Sequence, residues 1–435
     1  MRFPHSPTRA VVGLATLAIL TACGARSELS VDNADARQAT LDTNPTDALP
    51  RDAIDASFPR DAIDVVPPRD VPDAFDAPVD CEPTACGAPV QLALGQYHSC
   101  ARSATGLVRC WGANDRGQLG IDSTADTARP TAVIEIADAR EIAAGYTHTC
   151  AVRADFSLWC WGDNASGQLG VGPTPAVSLR PIRVSLPGPV SHVSLGIGHT
   201  CAIVSSGLYC WGENDQGQIG DGTRTPRATP VAIRGIVGPT LGIRAGARHT
   251  CAIDSAGGLW CWGLNASGQY GDGTTSQRLA PALPPIRPVS EAVTGCITCR
   301  EYDMRVTCSG PNDYGQLGDG TTMVSVVGVV PRSPTFRSRE PAAVGCGHAC
   351  FVDRTGTVRC SGWNAMGELG AGTRSPRDTM LTVLGVRAPS TIALGHHHAC
   401  AVGDDRVLRC WGDNARGQLG DGTTDVRPVP VAIAW

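Results

Sequence analysis

Apolar side chains follow three regimes along this 435-residue chain. Ala10 to Leu20 is an apolar run whose one polar side chain is Thr16. Residues 24–80 hold few large apolar groups. Beyond about residue 88, apolar positions come in short strings between glycine-rich turns, and strings such as Pro230-Val231-Ala232-Ile233 alternate as a half-buried strand does. The strings belong to a repeat. Gly-x-x-His-x-Cys, a short turn, then Cys-Trp-Gly-x-Asn-x-x-Gly-Gln-Leu-Gly recurs seven times, with 48 to 51 residues between successive copies. A unit of about fifty residues holds four strands of ordinary length with their turns, which is one blade of a propeller. Each blade leaves a face that only its neighbours can cover, so the copies are expected to close into a ring.

The pattern predicts an all-β, seven-bladed propeller over residues 81–435. The proline-led strings read as strands preceding their motifs. The first motif has Cys81 and Cys86 before it instead, and Pro430-Val431-Ala432-Ile433 follows the seventh. The C-terminal strand is therefore expected to close the ring by completing the blade begun at the N-terminal side, leaving no free sheet edge.

Composition sharpens this picture. With 51 Gly and 32 Pro, long helices are disfavoured. The chain has no Lys, so Schiff-base and P-loop chemistry lack their essential side chain. Arg2 and Arg9 flank the start of the apolar run, which is too short to span a bilayer, and residues 1–23 read as a secretory signal. Its end, Leu20-Thr21-Ala22-Cys23, resembles a bacterial lipoprotein box, which implies lipidation of Cys23 and an outer-membrane lipoprotein; the alternative is a plain cleaved signal. Residues 24–80 carry 13 acidic and 5 basic side chains and read as a disordered Asp/Pro/Ala-rich linker. The overall net charge of −5 then leaves residues 81–435 near neutrality, with no electrostatic footprint for nucleic acid.

The two cysteines of each copy lie nine or ten residues apart across a short turn, facing one another on adjacent strands. Seven within-blade disulfides follow: Cys100–Cys110, Cys150–Cys160, Cys201–Cys210, Cys251–Cys261, Cys299–Cys308, Cys350–Cys360 and Cys400–Cys410. Cys296 and Cys346 occupy equivalent places in consecutive copies and can bridge two blades. Cys81 with Cys86 remains by elimination. The competing reading is zinc at Cys296-x-x-Cys299 and Cys346-x-x-x-Cys350.

The motifs of copy two, His148-Thr149-Cys150, Trp161-Gly162-Asp163-Asn164 and Gly167-Gln168-Leu169-Gly170, with their counterparts, resemble repeats of the regulator of chromosome condensation family. That resemblance spans about residues 88–435 and implies a seven-bladed propeller. The family's eukaryotic founder exchanges guanine nucleotide on a nuclear GTPase, a partner an exported chain would not meet. Similar secreted bacterial propellers include a protein inhibitor of β-lactamases, so the scaffold can serve protein binding alone; the fold does not carry the function.

His98, His148, His199, His249, His348 and His398 recur once per copy, which marks a buried hydrogen-bonding element rather than a catalytic residue. The motif Asn (Asn114 and its equivalents) suits a capped turn. Asp-Gly-Thr at Asp221, Asp272, Asp319 and Asp421 reads first as a tight turn, with calcium as the alternative. Copies five and six depart from the pattern. Ser361 replaces Trp in copy six while Phe351 replaces the small residue diagonal to it, a volume-conserving exchange. Copy five has Ser309 for Trp, lacks the His and places Arg300, Glu301, Tyr302 and Asp303 on its hairpin. These four with the out-of-register Trp363 form the candidate binding site, against simple decay of one repeat.

The expected protein is therefore a lipid-tethered monomeric binding module with no catalysis, cofactor or metal, gripping a protein or cell-envelope partner by the loops of one face and meeting the membrane only through its lipid. A propeller lyase or a structural surface protein are the rival readings. A binding module should vary its side chains between blades on one face and include aromatics or Arg there; an enzyme should gather His and carboxylates unique to one blade.

Overall fold

Every regular element in the computed structural model is a β-strand; it describes residues 87–205, 207–282, 289–302, 305–332 and 343–435. The strands form seven antiparallel four-stranded sheets, each built from strands consecutive in sequence. Blade two is representative: an inner strand Ala139–Ala144, a second strand His148–Arg153, a third strand Leu158–Asp163 and an outer strand Val177–Arg183. The inner strands pack side by side around an axis, and that of blade one (Pro89–Leu94) lies against those of blades two and seven, which closes the ring. The signal segment, the linker, Cys23, Cys81, Cys86 and Asp303 lie outside the described residues.

The closure differs from the sequence expectation in one respect. The C-terminal strand Arg427–Ala432 is the outer strand of blade seven, pairing Cys410 with Val431, and it does not complete blade one. Blade one is whole, because Pro89–Leu94 supplies its inner strand. The proline-led strand follows its own motif rather than preceding the next: Val231 faces Cys210 of the same copy. A periodic sequence fixes the repeat length but leaves open where one unit ends and the next begins.

Ring closure rests instead on joints between blades that the motif residues build. Trp161 Nε1 of blade two donates to the Gln118 carbonyl in the Gly-Gln-Leu-Gly turn of blade one, at 2.9 Å. Trp211 does the same to Gln168, Trp262 to Gln218, Trp411 to Glu368, and Trp111 to Gln418 across the closing joint. Each indole is fully buried. Gly120 ends this turn because a Cβ there would stand 2.8 Å from the Trp161 Nε1, and Gly112 sits at φ +102° with the Tyr97 carbonyl 2.4 Å from where its Cβ would be.

The repeated histidine makes the second joint bond. His98 Nε2 lies 3.0 Å from Thr149 Oγ1, and the Thr149 hydroxyl donates onward to the Gln118 carbonyl at 2.9 Å. Because that hydroxyl hydrogen is committed, its oxygen accepts from His98, which places the imidazole proton on Nε2. His148 pairs likewise with Thr200, His199 with Thr250, His249 with Thr298, and His398 with Ser99 to close the circle. Burial pushes these imidazoles down, His98 and His249 to about 4 and His148 and His199 to about 3. They are neutral structural donors.

Within each blade the two motif cysteines are in register and joined, with Cα atoms 4.0 to 4.2 Å apart. Cys296 and Cys346 join blades five and six, Cα to Cα 4.5 Å. The Asp-Gly-Thr carboxylates are occupied locally: Asp221 accepts from the Thr223 amide and hydroxyl and pairs with Arg227 at 2.7 Å, and Asp421 pairs with Arg427 at 2.8 Å. Among the described residues, no group of three or more His, Cys, Asp or Glu is arranged to hold a metal ion.

Candidate binding face at the axial mouth

The loops between inner and second strands and the long loops between third and outer strands emerge on one face. The hairpin tips emerge on the other. On the loop face, the residue after the ring glycine lines the mouth of an axial cavity in five blades, and it differs from blade to blade: Tyr146, Ile197, Ala247, Cys346 and His396. The repeat is strict in the joints and free here.

Three groups unique to single blades lie on this face, and of their residues Tyr146 and His396 line the mouth itself. His396 stands edge-on to Tyr97 at 6.3 Å and to Tyr146 at 5.5 Å. Burial lowers His396 to about 4 and raises the Tyr146 hydroxyl to about 12. Beside it, His397 Nδ1 lies 3.1 Å from Oε1 of the fully buried Glu368, the acid that blade six carries where six turns have Gln. Glu368 Oε2 also accepts from the Met366 amide at 2.9 Å. Third, Tyr314 of blade five meets Trp363 of blade six in a T-shaped contact at 4.8 Å, over Gly347, whose missing side chain leaves room for the indole. Tyr314 and Met366 are each about 40% exposed, so this is an aromatic and thioether platform open to solvent.

The structure divides the residues that the sequence grouped. Trp363 is on this face. Glu301 and Tyr302 lie toward the hairpin tip of blade five, where Tyr302 faces Arg305, at the opposite end of the sheet from Gly310. Five residue steps of strand separate the two ends, about 17 Å. Arg300 points into the joint: its guanidinium donates to the Tyr270 and Gly271 carbonyls of blade four, both at 3.1 Å, and Ser309 Oγ donates to the Gln269 carbonyl at 3.2 Å. Together they fill the site that Trp fills elsewhere. Gly328 of the outer strand makes space, since a Cβ there would stand 2.9 Å from the Arg300 guanidinium. In blade six Phe351 is buried in a cluster with Leu317 and Met380 beside Ser361, and the Met380 methyl takes the place against Gly318 that the indole takes elsewhere. The copy-five substitution is thus repair of a joint, and Arg300 does not join the binding face.

The sequence reading missed Glu368, His397, Tyr314 and Met366. Glu368 carried a readable signal, as the one acid among the seven Gly-Gln-Leu-Gly turns, beside the run His396-His397-His398.

Two models, each described as "Regulator of chromosome condensation (RCC1) repeat", match the chain. One matches residues 105–152, 157–203 and 205–253, the other 90–118, 139–168, 190–218, 242–269 and 390–418. No curated protein matches it. Among solved structures, human WBSCR16 is 23% identical over 76% of this chain and 94% of that one, with a TM-score of 0.65. Prp20p of Saccharomyces cerevisiae, in a structure reported with its binding to Gsp1p and histones, is 20% identical over 78% and 88%, TM-score 0.68. Yeast RCC1 bound to Kap60 is 19% identical over 85% and 91%, TM-score 0.69. At these identities the likeness is one of fold.

Proposed function

The chain is a seven-bladed propeller of regulator of chromosome condensation repeats, and from that premise we propose that it is an exported, lipid-anchored binding scaffold that grips a protein of the cell envelope at its axial mouth. The observation that carries this reading is the contrast between the two kinds of position. Joint residues repeat around the ring, whereas the loop face carries Tyr97, Tyr146, Trp363, Tyr314, Met366 and His396 with no repetition, Tyr146 and His396 among them lining the mouth. Aromatic anchors in such a setting are the usual hot spots of protein interfaces. Prp20p, of similar fold, is described as binding Gsp1p and histones, which supports a protein partner for this architecture.

Joint substitution Tyr314→Ala and Trp363→Ala is expected to weaken capture of the envelope partner at least tenfold, about 1.4 kcal/mol or more. Tyr302→Ala on the opposite face is expected to leave it unchanged. Affinity measured with immobilised wild-type and variant proteins decides the matter, and equal capture by the Tyr314/Trp363 variant overturns the reading. The anchor has its own test. Cys23→Ala is expected to abolish incorporation of labelled palmitate and to move the protein from the membrane fraction to the soluble one; unchanged labelling contradicts lipidation at that residue.

A second reading is favoured by one feature, the buried Glu368 holding the His397 imidazole beside His396. A carboxylate that orients an imidazole is the usual arrangement of a general base. On this reading His397→Ala removes turnover while partner capture persists. On the scaffold reading both variants are judged by capture alone.

A further inference from the structure

The seven joints are not equally bonded. Six of them carry at least one of the two motif bonds or its substitute. Between blades four and five His249 pairs with Thr298, and Arg300 with Ser309 stands in for Trp. Between blades six and seven Trp411 donates to Glu368, although His348 faces Ala399 and both its ring nitrogens lack a partner. Between blades five and six neither bond exists among the described residues. Ile297 stands where the His would be, Ala349 where the Thr would be, and the buried Ser361 hydroxyl has no partner. The Cys296–Cys346 disulfide crosses this same joint. Sulfur has taken over where the polar bonds were lost.

Access separates this disulfide from the others. The fourteen hairpin cysteines are at most 3% exposed. Cys296 and Cys346 are only half-buried, and Cys346 lines the axial mouth. An attacking thiolate must approach a sulfur directly, so access governs which disulfide exchanges. We propose that Cys296–Cys346 is a thiol-exchange site whose dithiol partner unlatches the joint between blades five and six. The incoming thiolate attacks Cys346 Sγ; the bond to Cys296 Sγ breaks and Cys296 leaves as a thiolate. The second thiol of the reductant then attacks the mixed disulfide and releases Cys346. The reductant ends as a disulfide, having supplied two electrons, and its two thiol protons balance those taken up by Cys296 and Cys346. Tyr314 and Trp363 approach one another across this joint, so the latch also sets the spacing of the aromatic platform.

The test uses the full chain, titrated with dithiothreitol without denaturant, alkylated, and mapped by mass spectrometry. Cys296 and Cys346 are expected to alkylate at a dithiol concentration at least tenfold below that needed for any hairpin cysteine. Hydrogen exchange at residues 295–298 and 345–348 is expected to rise at least tenfold in the same samples, with blades one to three unchanged. Cys296→Ser with Cys346→Ser should show the same local exchange without dithiol. Hairpin cysteines reacting together with this pair, failure of the pair to reduce under native conditions, or unaltered exchange after its reduction would each overturn the proposal. Partner capture enters none of these measurements, so they stand or fall apart from the scaffold reading.

Discussion

Lowering the pH from 7 to 4.5 is expected to remove most of the stability of the propeller. His98 and His249 are held at about 4, His148, His199 and His348 at about 3, and His398 well below its usual value, in each case chiefly by burial. The unfolded chain binds protons at these imidazoles from about pH 6.5 downward, whereas the folded ring refuses them until about pH 4 or lower. The unfolded state therefore binds more protons across that window, and stability falls as pH falls. A histidine depressed to about 4 contributes about 2–3 kcal/mol of this loss at pH 4.5. Summed over the ring, the loss matches the whole stability of an ordinary domain, about 5–15 kcal/mol. Structure accounts for the refusal. Protonation of His148 would put a hydrogen on Nδ1, which has no partner, and a charge near His199 and His98. Urea unfolding followed by tryptophan fluorescence at pH 7.5, 6, 5 and 4.5 measures the loss, and a flat profile contradicts it.

Removing one joint indole is the second large effect. Trp161→Ala deletes a fully buried side chain and its bond to the Gln118 carbonyl, with an expected cost of about 3–5 kcal/mol. Trp159→Ala, two residues earlier on the same face of that strand but only half-buried, should cost less than half of that. Blades five and six supply a more demanding test, because they show how the joint survives without indole. Trp161→Ser combined with Ala151→Phe copies the Ser361 and Phe351 of blade six. The double variant is expected to recover at least 1 kcal/mol relative to Trp161→Ser alone, a coupling that urea unfolding resolves. Additive losses would show that Phe351 is not what replaces the indole.

The reading from sequence went furthest where a signal was repeated. Seven copies of one motif are a stronger constraint than any local propensity, and blade number, strand content and the facing cysteines were all legible. The role of the histidine was legible in kind, as a buried donor, yet its partner was not. Thr149 lies 51 residues from His98, in the next blade, and becomes its neighbour only once the ring closes. The same reason hid the work of Arg300, whose acceptors Tyr270 and Gly271 belong to the preceding blade. The sequence marks the copy-six departure as a volume-conserving exchange but the copy-five one as candidate chemistry; a lost indole leaves a void that must be filled, and in blade five Arg300 with Ser309 fills it. Strand phase was lost for another reason: a periodic string has no intrinsic start, so Pro430 to Ile433 looked like a missing first strand. The binding face was the least legible part, because its residues share no pattern and meet only through the geometry of the mouth.

Binding at the axial mouth is tested most directly by a photo-crosslinking benzoylphenylalanine placed at position 363 or at position 302 of the otherwise native chain, irradiated in envelope extract. A discrete protein adduct from position 363, lost when unlabelled wild-type protein competes, and none from position 302, is the expected result. An adduct from position 302 alone would move the interface to the hairpin face and contradict the proposed site.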